Sequence, residues 1–264
     1  MKEILQLQDR LDFLNTQEAC RDSFMEYIRY IWPGFIEGEH HRVIAERLTA
    51  VAKGELKRLI INMPPRHTKS EFASIYFPSW MMGLQPNLKI MQTTHTADLS
   101  INFGRKVRNL MDTEEYTKIF QDVNLAADSK SAGKWQTSKG GEYFAAGVGG
   151  AIAGRGADLL IIDDPHSEQD AMSMNLLDSC YEWYTSGPRQ RLQPGGAIVI
   201  VMTRWSTMDL TGRLLTRQTE LNSDQWEVIE LPAIFEDTEE VLWPEFWQKE
   251  ELESVKASIP VTKW

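Results

Sequence analysis

Leu159-Leu160-Ile161-Ile162-Asp163-Asp164 is an unbroken aliphatic run closed by two adjacent carboxylates and followed by Pro165. A continuous rather than alternating apolar run is the pattern of a strand covered on both faces, as in a parallel sheet flanked by helices. Taken alone, a strand ending in Asp-Asp-Pro is an ordinary turn. A second stretch upstream changes its meaning. Met63-Pro64-Pro65-Arg66-His67-Thr68-Lys69-Ser70 lies between the buried strand KRLIIN (57–62) and a helix. A phosphate cradle needs backbone N–H groups converging at a helix N-terminus, a Lys for the outer phosphates and a hydroxyl for Mg²⁺. Lys69 and Ser70 are suited to the last two roles. Against the pattern G-x-x-x-x-G-K-[ST], however, the glycine positions hold Met63 and Thr68. Pro64 and Pro65 also remove two donors, so the cradle rests on Arg66 through Ser70.

Behind a Lys-Ser loop, the first carboxylate of such a strand is placed to hold Mg²⁺, and the second to orient or deprotonate an attacking water. Neighbouring strand residues point opposite ways, but where the chain turns at a strand end both can reach one site. A third element is the strand AIVIVMT (197–203), which runs into Arg204-Trp205. Thr203, at the exit of a strand beside the phosphate-loop strand, is placed to sense a γ-phosphate. The plainer reading is a strand exit followed by a core Trp.

The rest of the chain fits the same architecture. Strands are expected at 57–62, 88–94, 142–146, 158–163 and 197–203, with helices at 69–82, 97–111, 171–184 and 209–217 between or after them. Alternation of this kind predicts an α/β fold with a largely parallel sheet. Residues 1–31 read as one or two amphipathic helices stopped at Trp32-Pro33-Gly34. A helix over 40–53 ends at Gly54, a plausible C-cap. Residues 122–141 read as a surface loop or hairpin. From 209 the pattern changes to a helix, a strand-like WEVIEL and a final helix near 245–258, read as a small lid.

Composition narrows the class. The chain has 264 residues, 28 Lys+Arg against 38 Asp+Glu (net charge −10), 42% hydrophobic residues and nine Trp. That is enough apolar material for a sizeable core and argues against disorder. The acidic balance argues against a small basic module that coats nucleic acid, though not against contact through a local patch or a ring. Cys20 and Cys180, far apart, make no disulfide framework or zinc site and fit a reducing compartment. The stretch 72–84 is interrupted by Ser74, Pro78 and Ser79 and is too short to span a bilayer, so no membrane partner is expected.

MPPRHTKS (63–70), GRGADLLIIDDP (154–165), VIVMTRW (199–205) and DLTGRLL (209–215), in that order, resemble the ATPase part of the large terminase subunit of tailed bacteriophages and prophages. These motors package viral DNA into a preformed capsid. The resemblance covers roughly 57–217 and implies a P-loop NTPase fold of the RecA/ASCE type. It also implies ATP and Mg²⁺ as cofactors, and double-stranded DNA, a small terminase subunit and a homo-oligomeric ring on a portal as partners. The place of action would be the host cytoplasm. On this likeness residues 1–208 form the ATPase core and 209–264 a lid leading toward a nuclease domain that this chain lacks.

The same resemblance implies roles. Pro65, Arg66, His67, Thr68, Lys69 and Ser70 would bind the nucleotide. Ser70 and Asp163 would hold the metal, Asp164 would be the catalytic carboxylate, and Thr203 would couple hydrolysis to movement. Many relatives have Asp-Glu where this chain has Asp163-Asp164. Arg66 and Arg155 compete to stabilise the transition state: Arg155 is favoured, acting on a neighbouring subunit, with Arg66 as γ-phosphate sensor. His41 stands roughly where relatives place a residue near the adenine, but a solvent-facing histidine at a helix start is the favoured reading. His95 and His166 read as structural or surface residues. Basic groups at Arg105-Lys106-Arg108, at Lys130-Lys134-Lys139 and at Arg189-Arg191 read ordinarily as solvated faces; in a ring motor one of these loops would line the pore and touch DNA phosphates.

Overall fold

The computed structural model describes residues 1–127 and 131–258. It contains a seven-stranded sheet built from β1 (Arg58–Asn62), β2 (Lys89–Thr94), β3 (Lys134–Gln136), β4 (Glu142–Gly147), β5 (Ala157–Asp163), β6 (Leu192–Met202) and β7 (Glu227–Glu230). The strand order is β3-β4-β2-β5-β6-β1-β7, parallel throughout except for β3 against β4. The expected mixed α/β architecture is therefore present, with the five expected strands in parallel at its centre.

Helices cover both faces because the strand residues divide by period two. Leu159 and Ile161 of β5, Val199 and Val201 of β6, and Leu59 and Ile61 of β1 enter one core. On that face pack α1 (Lys2–Asp22), α2 (Phe24–Ile31), α3 (Glu39–Ala52), a π-helical turn (Glu71–Tyr76) continued by α4 (Phe77–Leu84), α5 (Ala97–Met111) and α6 (Glu114–Ile119). The alternate residues Leu160, Ile162, Ile198, Ile200 and Ile60 enter a second core. It is closed by α7 (Met174–Ser186) and α8 (Leu210–Arg217). A last helix, α9 (Lys249–Ser258), follows β7.

Two expectations change. The strand-like WEVIEL is β7, paired in parallel with β1, so it extends the sheet instead of belonging to a separate lid. Asp209, at the supposed boundary, is wholly buried as the N-cap of α8. Within 122–141 the hairpin alternative is the one present: β3 pairs antiparallel with β4, and its Trp135 is buried and stacked on Tyr143, with 4.9 Å between ring centroids. Lys130 lies outside the described residues. Among the described residues, no helix is long and apolar enough to cross a membrane.

Candidate active site

Apart from Arg155, the residues singled out by sequence converge at the C-terminal ends of β1, β6 and β5. Because β6 lies between the other two, the loop after β1 and the end of β5 are separated by one strand, about 10 Å across two strand spacings. Thr203, leaving β6, stands in the gap.

Asp163 continues the face of Leu159 and Ile161, which is the face of the helix following the loop. Its carboxylate is buried and accepts from Ser70 Oγ (3.0 Å) and from Ser74 Oγ (2.6 Å). Ser74 in turn accepts from Gln92 Nε2 of β2 at 3.0 Å. The period of the strand would send Asp164 to the opposite face. It adopts φ 41°, a left-handed conformation uncommon for a non-glycine residue. The side chain thereby joins the site, accepting from Thr203 N (2.7 Å) and pairing with Lys69 Nζ (2.9 Å). Lys69 Nζ also donates to Thr203 Oγ1 at 3.0 Å, and Thr203 Oγ1 donates to Met63 O at 3.4 Å.

The loop of residues 63–70 is strained at two points, with φ 61° at Arg66 and 67° at Thr68. Left-handed residues alternating with the negative-φ His67 turn successive N–H groups toward one concave side, a nest suited to anions. Pro65 and Arg66 form a turn, and the N–H groups of Arg66, Thr68 and Lys69 donate to no backbone or side-chain acceptor among the described residues. The loop then enters the helix, where Phe72 N donates to Thr68 O at 3.0 Å.

Electrostatics follow from burial. Removal from water and the neighbouring Asp164 push the Asp163 carboxyl up to about 7, against the opposing pull of Lys69 and the two serine hydroxyls. Ser70 and Asp163 form a hard oxygen pair that fits Mg²⁺. No group of three or more His, Cys, Asp or Glu side chains among the described residues could hold a metal ion. The remaining ligands would therefore be phosphate oxygens and water, the usual company of that ion in nucleotide sites.

Arg66 is exposed and makes no ion pair or hydrogen bond among the described residues. Arg155 is elsewhere. It precedes β5 at the N-terminal edge of the sheet, where it donates to Glu142 Oε1 at 2.7 Å and lies 4.0 Å above the Phe144 ring centroid. It does not join the cluster of its own chain. His41, expected to face solvent, is fully buried between α3 and the loop. Trp205 is half-buried rather than a core residue. His166 is buried and accepts from Leu210 N (3.0 Å), the structural role expected of it. Of the basic groups, Arg189 is engaged by Asp224 at 2.7 and 3.1 Å.

Sequence reasoning missed Ser74 and Gln92, which read as interruptions in apolar stretches. The usable signal was spacing: Ser74 lies four residues after Ser70, hence on the same side of the helix.

Fold and cluster together define an α/β protein with a mostly parallel sheet and a Lys-Ser loop facing two strand-end carboxylates. No family model and no curated protein matches the sequence. Among solved structures the chain is similar to the crystal structure of the HK97 bacteriophage large terminase. The TM-score is 0.53 at 10% sequence identity, over 85% of this chain and 47% of that one. At this identity the likeness is one of fold. The chain spans less than half the length of that terminase.

Proposed function

We propose that this chain is the ATPase motor part of a viral large terminase, hydrolysing Mg²⁺-bound ATP to drive double-stranded DNA into a procapsid. In this reading it works as a homo-oligomeric ring on a portal, with a small terminase subunit, in the host cytoplasm. One observation carries the proposal. Lys69, Ser70, Asp163, Asp164 and Thr203 come from three separate stretches of sequence and meet within hydrogen-bond reach at the ends of neighbouring parallel strands. The terminase-like fold supports it.

The N–H groups of Arg66, Thr68 and Lys69 would cradle phosphate, with the Arg66 side chain reaching over it from the solvent side. Ser70 and Asp163 would hold Mg²⁺, which supplies charge neutralisation to the phosphates. Lys69 divides its ammonium between Asp164 and Thr203. A phosphate oxyanion competing for that ammonium would release Asp164 Oδ2, leaving a free carboxylate oxygen to orient the attacking water and take its proton. Asp164 Oδ1 stays on Thr203 N. A change at the carboxylate is thereby felt directly at the exit of β6. Arg155 would complete the site of a neighbouring subunit, since its own chain holds it at the far edge of the sheet.

Phosphate release measured for the wild type, Lys69→Ala and Asp164→Asn tests this. Turnover should be lost in both variants, with Asp164→Asn reduced by about 10²–10⁴-fold, as for removal of a general base. A wild type that binds ATP without turnover would instead make the chain a nucleotide-regulated assembly module.

A further inference from the structure

Thr68 occupies the position that glycine fills in G-K-[ST] loops, and its φ of 67° is the conformation for which glycine is ordinarily used. A β-branched residue there is held only if its surroundings over-determine it. Those surroundings are contributed by α3. Gly38 N donates to His41 Nδ1 at 2.9 Å, so the neutral ring carries its hydrogen on Nε2. Nε2 faces Thr68 Oγ1 at 2.7 Å and donates to it, and the Thr68 hydroxyl passes its own hydrogen to His67 O at 2.6 Å.

The imidazole cannot swing away. Phe72 stacks on it at 5.0 Å between centroids, His40 lies at 3.7 Å, and Phe35 and Trp243 meet it edge-on at 4.8 and 4.9 Å. With its ring enclosed and both nitrogens engaged, His41 has no edge to offer a nucleobase.

We infer that His41 is a positioning residue of the phosphate loop: through Thr68 it holds the left-handed turn that a glycine would otherwise supply. A hydrogen-bonded Thr–His pair from two distant parts of the sequence stands in for the missing loop glycine. The inference rests on the nucleotide-site reading above and adds to it a residue that touches no ligand.

The test is a double-mutant cycle read as the dissociation constant of the non-hydrolysable analogue AMP-PNP with Mg²⁺, measured by calorimetry. In the Thr68 background, His41→Ala should weaken binding about tenfold, the scale of one buried hydrogen bond. In the Thr68→Gly background the same substitution should change it by about twofold or less, because glycine needs no support. A merely structural histidine would show an equal defect in both backgrounds, and that result overturns the inference. His41→Gln, which keeps an N–H donor, should recover most of the loss in the Thr68 background.

Substitutions at the part-exposed position 68 keep the test decisive if His41→Ala does not fold. Thr68→Val keeps the branched shape without the hydroxyl and should weaken binding about tenfold or more; wild-type affinity there overturns the inference. A wild type that binds no AMP-PNP, like Lys69→Ala, overturns the nucleotide reading itself and this inference with it.

Discussion

His40 packs between His41 and His67 of the 63–70 loop, and burial lowers the pKa of each of the three, to about 4 for His40 and about 3 for His41. Unfolding returns an imidazole to about 6.5. Below that pH the unfolded chain binds protons that the folded chain refuses. Their contribution to stability is thus present above pH 6.5 and lost as the pH falls toward 4. At pH 5 the loss is about 2 kcal/mol for each of His40 and His41. Asp163 has the opposite sign. Its carboxyl, raised to about 7, keeps a proton that the unfolded chain releases, so acidification from pH 7 toward 4 favours folding through this one group. With His166, which burial shifts the same way, four imidazoles stand against this carboxyl and leave a net loss. Urea midpoints should fall between pH 7 and pH 5, and fall further in Asp163→Asn, where the opposing group is gone. Midpoints that do not move with pH would refute this account.

At the scale of elements, two short features position the site. The π-helical turn at 71–76 follows directly on Ser70 and carries Ser74, so hydroxyls one turn apart flank the same carboxylate. The other is the N-terminus of α8. Asp209 accepts from Trp205 N, Ser206 N and Gly212 N at 2.9–3.2 Å and from Arg204 Nε at 3.0 Å. Asp209→Ala would strand those donors and should cost about 2–4 kcal/mol, more than an exposed cap. For a chain of this size that is about 5–10 °C in melting temperature by calorimetry. A shift under about 2 °C would show that the cap is dispensable.

The elements differed in how legible they were. Five central strands could be read because burial on both faces makes their apolar runs continuous. Helix 97–111 was legible to its ends because Thr96 caps it, accepting from Leu99 N. β7 was misplaced because an edge strand has mixed burial and local sequence does not specify its partner. Lys69, Ser70, Asp163, Asp164 and Thr203 were readable from residue type and order. Ser74, Gln92 and His41 were not, since their roles depend on contacts between segments far apart in sequence.

For the whole molecule, the telling fact is that one expected residue does not join the rest. Arg155 is bonded to Glu142 and stacked on Phe144 at the edge of the sheet opposite Asp164. If it serves a neighbouring subunit, mixing Arg155→Ala with Asp164→Ala should partly restore ATP hydrolysis that neither variant shows alone. An intact carboxylate in one subunit would then meet an intact arginine from the next. Phosphate release assayed across mixing ratios should peak near equal amounts. A flat response, with both variants folded and assembling, would place the arginine outside the reaction.

The N-terminus of α8 is tied to two loops at once. Asp209 binds it to the segment leaving β6, and His166 binds it to the segment leaving β5 two residues beyond Asp164. A rod hinged to two supports does not report where either support is; it reports their difference. Displacement shared by both loops carries α8 along unchanged, while displacement of one against the other tilts it. Such a helix would act as a differential gauge between the ends of β5 and β6. Arg213, paired with Asp178, ties the same helix to α7 as well.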